Sequence, residues 1–292
     1  MPVASSPPLT LPQLKAFWRR SLQRCWQAWW LVLPGVLGRS GLEIGGPSGF
    51  FRSSGLLPIY RFVRRLDNLT FAARTVWQAS AQATMTDGSP YRPVGRQAKG
   101  NQFIGEATEL IRESDNSRDF VLASHVIEHV ANPLRALREW LRITKPGGQM
   151  VLVIPHRDGT FDHQRPVTQL EHLRHDERAQ VAESDSTHFP EIFCLHDLTR
   201  DPAAGSHEEF MQRTASNFFN RCIHHHVFDT ALALRMVAEA GWRIRSVQLR
   251  RPYHILIVCS KPRDGAPLDN RCVLAQNASW RRRSPFPTDR LA

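Results

Sequence analysis

Short apolar runs alternate with segments of helical periodicity along most of this chain. In the first half, four short runs bounded by glycine or charged residues predict strands: Gly41–Ile44, Phe62–Leu66, Gln102–Gly105 and Asp119–Ala123. A helix is predicted next, because Asn132 can cap it, Pro133 suits its first turn, and Leu134, Leu137 and Leu141 recur at helical spacing. The Lys145-Pro-Gly-Gly sequence ends that helix.

The second half continues the alternation. Met150–Ile154 is a continuous apolar run, typical of a strand covered on both faces. Asp229 or Thr230 caps a helix that runs through Ala240, and Trp242–Leu249 and His254–Cys259 are close enough to form a hairpin. The pattern therefore predicts an α/β fold with a doubly wound seven-stranded sheet, mostly parallel, with an antiparallel C-terminal hairpin.

These elements predict a division of the chain. Residues 1–38 are expected to be a helical lead-in, 39–260 the main domain, and 261–292 a disordered basic tail. Within the main domain, residues 155–229 form a long insertion after the fifth strand. An insertion of this length exceeds an ordinary connection, so we expect a lid or an acceptor-binding region.

Charge is unevenly distributed. The chain has a net charge of +11, of which +5 lies in residues 1–40, +4 in residues 261–292 and only +2 in between. The central domain thus lacks the basic bias of a nucleic-acid binder, and we expect no nucleic-acid partner. The five cysteines form no CxxC pair, which fits a reducing compartment and a cytoplasmic location.

The segment from Arg19 to Gly38 has a basic stretch followed by a short apolar run rich in tryptophan, and so mimics a signal peptide. We interpret it as a helix packed on the domain, because a glycine-rich motif begins directly after it. A weak contact with a membrane surface is the alternative, since Trp/Arg helices also lie at interfaces.

The glycine-rich motif reads LEIGGPSGF, residues 42–50. It resembles the ExGxGxG motif of class I S-adenosylmethionine-dependent methyltransferases, with Pro47 at the place of the middle glycine. The resemblance implies a Rossmann-like fold, S-adenosylmethionine as cofactor, and binding by Glu43, Gly45, Gly46 and Gly49. A glycine turn after a strand lets the backbone approach a ligand without a Cβ clash.

Further residues follow the predicted strands. Asp67 closes the second strand, where an acid can accept the two ribose hydroxyls; a turn-capping aspartate is the alternative. The resemblance implies that Glu106 meets the adenine amino group and that the backbone of Ala107 meets the ring. A solvated loop acid is the alternative for Glu106.

Residues 123–155 carry the most specific resemblance. They contain Glu128-His129, the helix and KPGG, as in small-molecule methyltransferases. The likeness covers roughly residues 40–260 and extends to one bacterial methyltransferase subfamily. It implies that Ser124 and His125 lie beside the sulfonium. Ubiquinone-type O-methyltransferases carry a second glutamate where this chain has His125, so we expect no metal.

The insertion is polar and rich in histidine. It begins at the carboxyl end of the fifth strand, where open α/β sheets bind ligands. His156 is our first candidate for the general base and His163 the second, because a hydroxyl acceptor must lose a proton. Arg157 and Arg165 indicate an acidic acceptor. Paired histidines and aspartates that only hold a long loop are the alternative.

The sequence thus predicts a methyltransferase that acts on a small-molecule or glycan acceptor through an O-nucleophile. Two alternatives remain at this point. One is an inactive methyltransferase fold that serves as a binding protein, which the Pro47 and His125 departures allow. The other is an RNA methyltransferase attracted by the basic ends. Acceptor identity and oligomeric state are not specified by the sequence.

Overall fold

A computed structural model describes residues 26–75, 85–263 and 265–291. Its eight strands are β1 Ser40–Ile44, β2 Arg65–Thr70, β3 Pro90–Tyr91, β4 Gly100–Ile104, β5 Arg118–Ser124, β6 Thr144–Pro155, β7 Arg243–Arg250 and β8 His254–Ser260. Its α-helices are α1 Trp26–Val36, α2 Pro133–Ile143, α3 Leu170–Arg178, α4 Phe189–Leu195, α5 His207–Ala215, α6 Asn217–Asn220, α7 Thr230–Glu239, α8 Arg271–Leu274, α9 Ser279–Arg283 and α10 Thr288–Leu291.

The strands form one sheet in the order β3-β4-β2-β1-β5-β6-β8-β7. The pairs from β4 through β6 are parallel, whereas β8 is antiparallel to both β6 and β7. The doubly wound α/β prediction and the C-terminal hairpin are confirmed. The described residues form eight strands rather than seven, because Pro90–Tyr91 adds a two-residue antiparallel strand at the β4 edge.

The helix predicted from Asn132 and Pro133 is confirmed. The Asn132 side chain accepts a hydrogen bond from the Arg135 amide and so caps the first turn. Asp229 caps α7 in the same way, through the Leu232 amide. Both helices pack on one face of the sheet, where Leu137, Trp140 and Met236 are fully buried.

The opposite face of the sheet is covered by α1 and by the segment between β1 and β2. Val32 of α1 and Phe51 and Tyr60 of that segment are fully buried there. The described part of the lead-in, residues 26–38, therefore packs on the domain. Among the described residues, no helix combines the length and the apolar composition needed to cross a membrane.

Both boundaries of the second strand differ from the prediction. The second strand is Arg65–Thr70 rather than Phe62–Leu66, so Asp67 is its third residue and does not close it. Phe62 and Val63 precede the strand in a turn. The strand itself carries buried polar residues, Asp67 and Asn68, which hide it from a search for apolar runs.

The prediction of a disordered tail is wrong for residues 265–291. This segment forms three short helices, and Trp280, Phe286 and Asp289 are all buried. Trp280 joins the core on the α2 and α7 side of the sheet. The tail shows no amphipathic periodicity, because the side chains that attach it to the domain occur singly in an otherwise polar sequence.

Candidate active site

A cleft of about 320 Å³ opens at the carboxyl edge of the parallel strands. Its walls come from the residues that follow β1, β2, β4 and β5, and from two residues of the insertion, Glu183 and Arg221. This is the edge at which open α/β sheets bind ligands, and the volume lies within the range of small-molecule sites.

The glycine turn after β1 forms the floor of the cleft. Gly45 has a positive φ of 74°, and a Cβ there would lie 2.6 Å from Val126. A Cβ on Gly46 would lie 2.4 Å from the Glu43 carboxyl carbon. Both positions therefore exclude a side chain, and the turn exposes bare backbone to the cleft.

Glu43 lies behind this turn rather than in the cleft. Its carboxylate is fully buried and accepts hydrogen bonds from the hydroxyls of Tyr60 at 2.7 Å and Tyr91 at 2.6 Å, and from the Ser48 amide. Burial raises the pKa of Glu43 to about 7, against the lowering effect of the two tyrosines. Glu43 thus stabilises the glycine turn from the side facing away from the cleft.

Asn68 of β2 fixes the turn from the side. Its side-chain oxygen accepts a hydrogen bond from the Gly46 amide at 2.9 Å, and its side-chain nitrogen donates to the Gly46 carbonyl at 3.2 Å. Gly49, the last glycine of the motif, does not line the cleft and begins a 3₁₀ turn that Ser48 caps.

Asp67 is not placed to bind ribose. Its carboxylate is buried at the start of β2, 2.7 Å from the Arg118 guanidinium, and also accepts from the Asn101 amide. Burial opposes its ionisation, but these contacts outweigh burial and lower its pKa. Because β2 continues three residues further, Thr70 and Phe71 occupy the cleft wall instead.

Glu106 and Ala107 line the cleft at the end of β4, as expected. The Glu106 carboxylate lies 2.9 Å from the guanidinium of Arg221, which stacks over Phe71 with 5.4 Å to the ring centroid. Arg221 also pairs with Glu183. This arginine therefore connects the sheet edge to the insertion across one end of the cleft.

His125 occupies the other side of the cleft, directly after β5. It has a φ of 55°, a conformation that is uncommon for residues with a side chain. Its Nδ1 lies 3.4 Å from Glu128 Oε1, and its Nε2 lies 3.0 Å from Nδ1 of His254 on β8. The ring is 29% exposed, so it is reachable from the cleft.

Glu128 is buried behind two cleft-lining histidines, His125 and His129. Burial disfavours its charge, but those histidines outweigh burial and lower its pKa. Burial lowers the pKa of His129 to about 4, as it does for His254. The site therefore contains a buried carboxylate in contact with one partly exposed imidazole, the arrangement that orients a histidine base.

Ser124 lines the cleft beside His125. Its hydroxyl and the Oε2 atom of Glu128 are buried without a hydrogen-bond partner among the described residues. Buried polar atoms that lack partners cost free energy, so these two are available to a ligand or to water. The expected placement of Ser124 and His125 at this strand end is confirmed; their roles stay predictions.

The structure contradicts His156 as the general base. Its ring is fully buried, stacks on Phe286 with 4.0 Å between centroids, and lies 3.2 Å from Asp289 through Nε2. Its Nδ1 accepts from the Asp158 amide. Both nitrogens are therefore engaged outside the cleft, and the residue joins the end of β6 to the C-terminal segment.

His163 is also outside the cleft lining. Its Nε2 lies 2.8 Å from Asp197, within the insertion. Arg165 is 1% exposed and pairs with Asp162 at 2.8 Å, so it is not a clamp for an acidic acceptor. Both residues follow the pattern of charged groups paired with one another to hold a long loop.

Sequence reasoning missed Arg221 and Glu183 as cleft residues. They lie far from the strand ends in sequence, and only the folding of the insertion brings them to the cleft. The insertion has a small core of its own around Ile192 and Phe210, which gives it a fixed shape. Asn68 was missed because an asparagine inside a strand carries no motif.

The fold and the glycine turn agree with the comparison to protein families. Residues 12–247 match the family Methyltransf_23, described as "Methyltransferase domain". Because the match covers more than half of the chain, the chain belongs to this methyltransferase family.

Curated relatives share part of this sequence. An "uncharacterized methyltransferase" of Mycobacterium ulcerans (strain Agy99) is 30% identical over 125 residues, which are 42% of this chain and 42% of that protein. Another from Mycobacterium sp. (strain KMS) is 32% identical over 127 residues, 44% of this chain and 42% of that protein. The match thus spans less than half the length of these relatives.

Solved structures give weaker likenesses. An S-adenosylmethionine-dependent methyltransferase from Mesorhizobium loti has a TM-score of 0.46 at 14% identity, with 81% of this chain and 97% of that chain covered. A SAM-dependent methyltransferase from Aquifex aeolicus has a TM-score of 0.42 at 12% identity, covering 82% and 92%. No conclusion about this chain follows from likenesses of this size.

Proposed function

We propose that this protein transfers a methyl group from S-adenosylmethionine to a hydroxyl of a small-molecule or glycan acceptor. The main supporting observation is that the glycine turn at Gly45 and Gly46 and the imidazole of His125 line the same cleft. The first suits a nucleoside-bearing cofactor and the second suits removal of a proton from an acceptor. Membership of the methyltransferase family supports the same reaction.

The residues present fit this cofactor in most respects. The glycine turn presents bare backbone to the cleft, because side chains at Gly45 and Gly46 are excluded by Val126 and Glu43. Glu106 and Ala107 lie where a purine could be met. At the end of β2, where the resemblance implies a carboxylate for the ribose, the described cleft lining has Thr70, which offers a hydroxyl instead. When bound, S-adenosylmethionine supplies the methyl electrophile.

The protein's own part is to align the acceptor and to remove its proton. His125 is the proposed base, because its ring is partly exposed to the cleft while Glu128 Oε1 lies 3.4 Å from Nδ1. A buried carboxylate at Nδ1 stabilises the imidazolium that forms when Nε2 takes a proton. The 3.0 Å contact of Nε2 with His254 would have to open for an acceptor hydroxyl to reach this nitrogen.

The acceptor is expected to enter between His125 and the insertion. Arg221 is paired there with both Glu106 and Glu183, so this arginine does not favour a strongly acidic acceptor. The near-neutral central domain also supports an acceptor other than nucleic acid. The small-molecule methyltransferase resemblance around Glu128-His129 and KPGG points the same way.

The proposal is tested by incubating the full chain with labelled S-adenosylmethionine and a fractionated extract of the source organism. Label should enter a small-molecule or glycan fraction, and His125→Ala should reduce turnover by about 10²–10⁴-fold, the usual contribution of a general base. His163→Ala is the matched control and should retain turnover. Label in RNA, or cofactor binding without transfer to any fraction, would contradict the proposal.

A further inference from the structure

Three histidines and an aspartate converge beneath the insertion, away from the cleft lining. His172 and Asp176 lie one turn apart on α3, His188 lies just before α4, and His226 precedes α7. We propose that these four residues form a structural zinc site that fastens the insertion to the methyltransferase domain.

The distances between the ligand atoms carry this inference. Nε2 of His172 lies 3.2 Å from Nε2 of His188 and 3.4 Å from Asp176 Oδ2. Nε2 of His226 lies 3.7 Å from the same carboxylate oxygen. Four ligands at tetrahedral corners about 2.0–2.2 Å from a zinc ion are about 3.3–3.6 Å apart, so three of the six edges lie within about 0.1 Å of that range. Ring nitrogens of the three histidines also lie within 4.8 Å of one another.

One ligand atom of the cluster is left without a hydrogen bond by the protein itself. Asp176 Oδ2 is buried and has no hydrogen-bond partner among the described residues. A cation would satisfy the carboxylate oxygen and relieve the facing imidazole nitrogens of His172 and His188. The contact of His226 Nε2 with the Ala131 carbonyl, at 3.1 Å, would give way to ligation.

The donor set selects the kind of ion. Three imidazoles and one carboxylate in a tetrahedral arrangement suit Zn²⁺, whereas Mg²⁺ and Ca²⁺ prefer oxygen ligands at higher coordination number. Four protein ligands leave no open position, which is typical of structural zinc. The His172 side chain is 38% exposed, so an ion has a path to the site.

The zinc site would also hold part of the cleft wall in place. Asp176 and His188 bracket residues 177–187, the segment that carries Glu183 into the cleft. Glu183 accepts from the Ala131 amide at 3.1 Å and pairs with Arg221. Zinc would hold both ends of this segment and so keep one wall of the cleft in place.

The test is zinc binding by the full chain after dialysis against a chelator. Calorimetry should show one Zn²⁺ per chain, and the zinc-loaded protein should melt at a higher temperature. His172→Ala and His188→Ala should each weaken zinc binding by more than about tenfold. Removing a ligand costs more affinity than removing a residue that hydrogen-bonds to a ligand, which typically costs about 10–100-fold. Both side chains are partly exposed, so the variants should fold.

His175→Ala is the matched control, since His175 lies exposed on the same helix and outside the cluster. It should bind zinc as the unchanged protein does. Absence of binding, or equal affinity in the His172 and His188 variants, would overturn the proposal. Cobalt loading of the unchanged protein adds a test that needs no variant: an intense tetrahedral absorption band is expected, and the weak band of an octahedral ion would overturn the site.

Discussion

His156 and Asp289 are in contact at 3.2 Å, although 133 residues separate them in the chain. The Asp289 carboxylate also accepts from the Thr230 hydroxyl at 2.7 Å, so it joins the end of β6 to the start of α7. Because both residues are buried, this contact makes the C-terminal segment part of the domain. Because this contact holds His156 outside the cleft, His156 is not placed to act as the general base.

We expect the C-terminal segment to contribute strongly to stability. Phe286→Ala removes a buried ring that stacks on His156 and should lower the free energy of unfolding by about 3–5 kcal/mol. Urea denaturation followed by fluorescence measures this. Leu268→Ala, at an exposed leucine of the same segment, is the control. Equal stability of both variants would show that the segment does not pack as described.

His156→Ala should act on stability rather than on catalysis. Removal of the ring opens a cavity beside Phe286 and leaves the buried Asp289 carboxylate without one of its partners. We expect a lower midpoint of urea unfolding, with turnover per folded molecule nearly unchanged. A large fall in kcat at unchanged stability would contradict this and would support His156 as the general base.

Asp67→Ala should likewise destabilise the fold. It leaves the largely buried Arg118 with only one of its two carboxylates, and breaking a buried pair typically costs about 3–5 kcal/mol. Cofactor affinity of the folded fraction should change little, because Asp67 does not line the cleft. Asp115→Ala, at a 70% exposed acid, is the control. A loss of cofactor affinity at unchanged stability would instead assign Asp67 to ribose.

Acid should destabilise the protein through His129. Its pKa is about 4 in the folded chain against an ordinary 6.5, so between these values only the unfolded chain takes up the proton. The contribution of His129 to stability is complete above pH 6.5 and is lost, by up to about 1.4 kcal/mol for each pH unit, as the pH falls towards 4. Urea denaturation at pH 7, 6 and 5 should show a shallower decline for His129→Gln than for the exposed control His207→Gln. Parallel declines would contradict this.

The sequence allowed the elements with local signals to be predicted. Asn132 and Pro133 mark a helix start by their own chemistry, and Met150–Ile154 is apolar throughout because both faces of its strand are covered. The glycine turn was identified from its glycine spacing after a strand. The positive φ at Gly45 is a local requirement, whereas Gly46 is required by the closeness of the Glu43 side chain.

What the sequence did not reveal depends on contacts between distant segments. The burial of Asp289 requires α7 and β6 to be already in place, and no periodicity around residue 289 signals it. Asp67 was assigned to a strand end because the apolar run before it ends there, whereas pairing with β1 and β4 continues the strand to Thr70. None of the described histidines of the insertion lines the cleft; its two histidines, His125 and His129, follow β5 instead.

Calorimetry of the folded full chain with S-adenosylmethionine and its demethylated product tests the central claim most directly. Both ligands should bind with one site per chain, and NADH should not bind. Gly45→Val should abolish binding, because Gly45 has a positive φ and a Cβ there meets Val126. Gly49→Ala, with open space at its Cβ, should retain binding. Absence of heat with either sulfur ligand, on protein shown to be folded, would contradict the account.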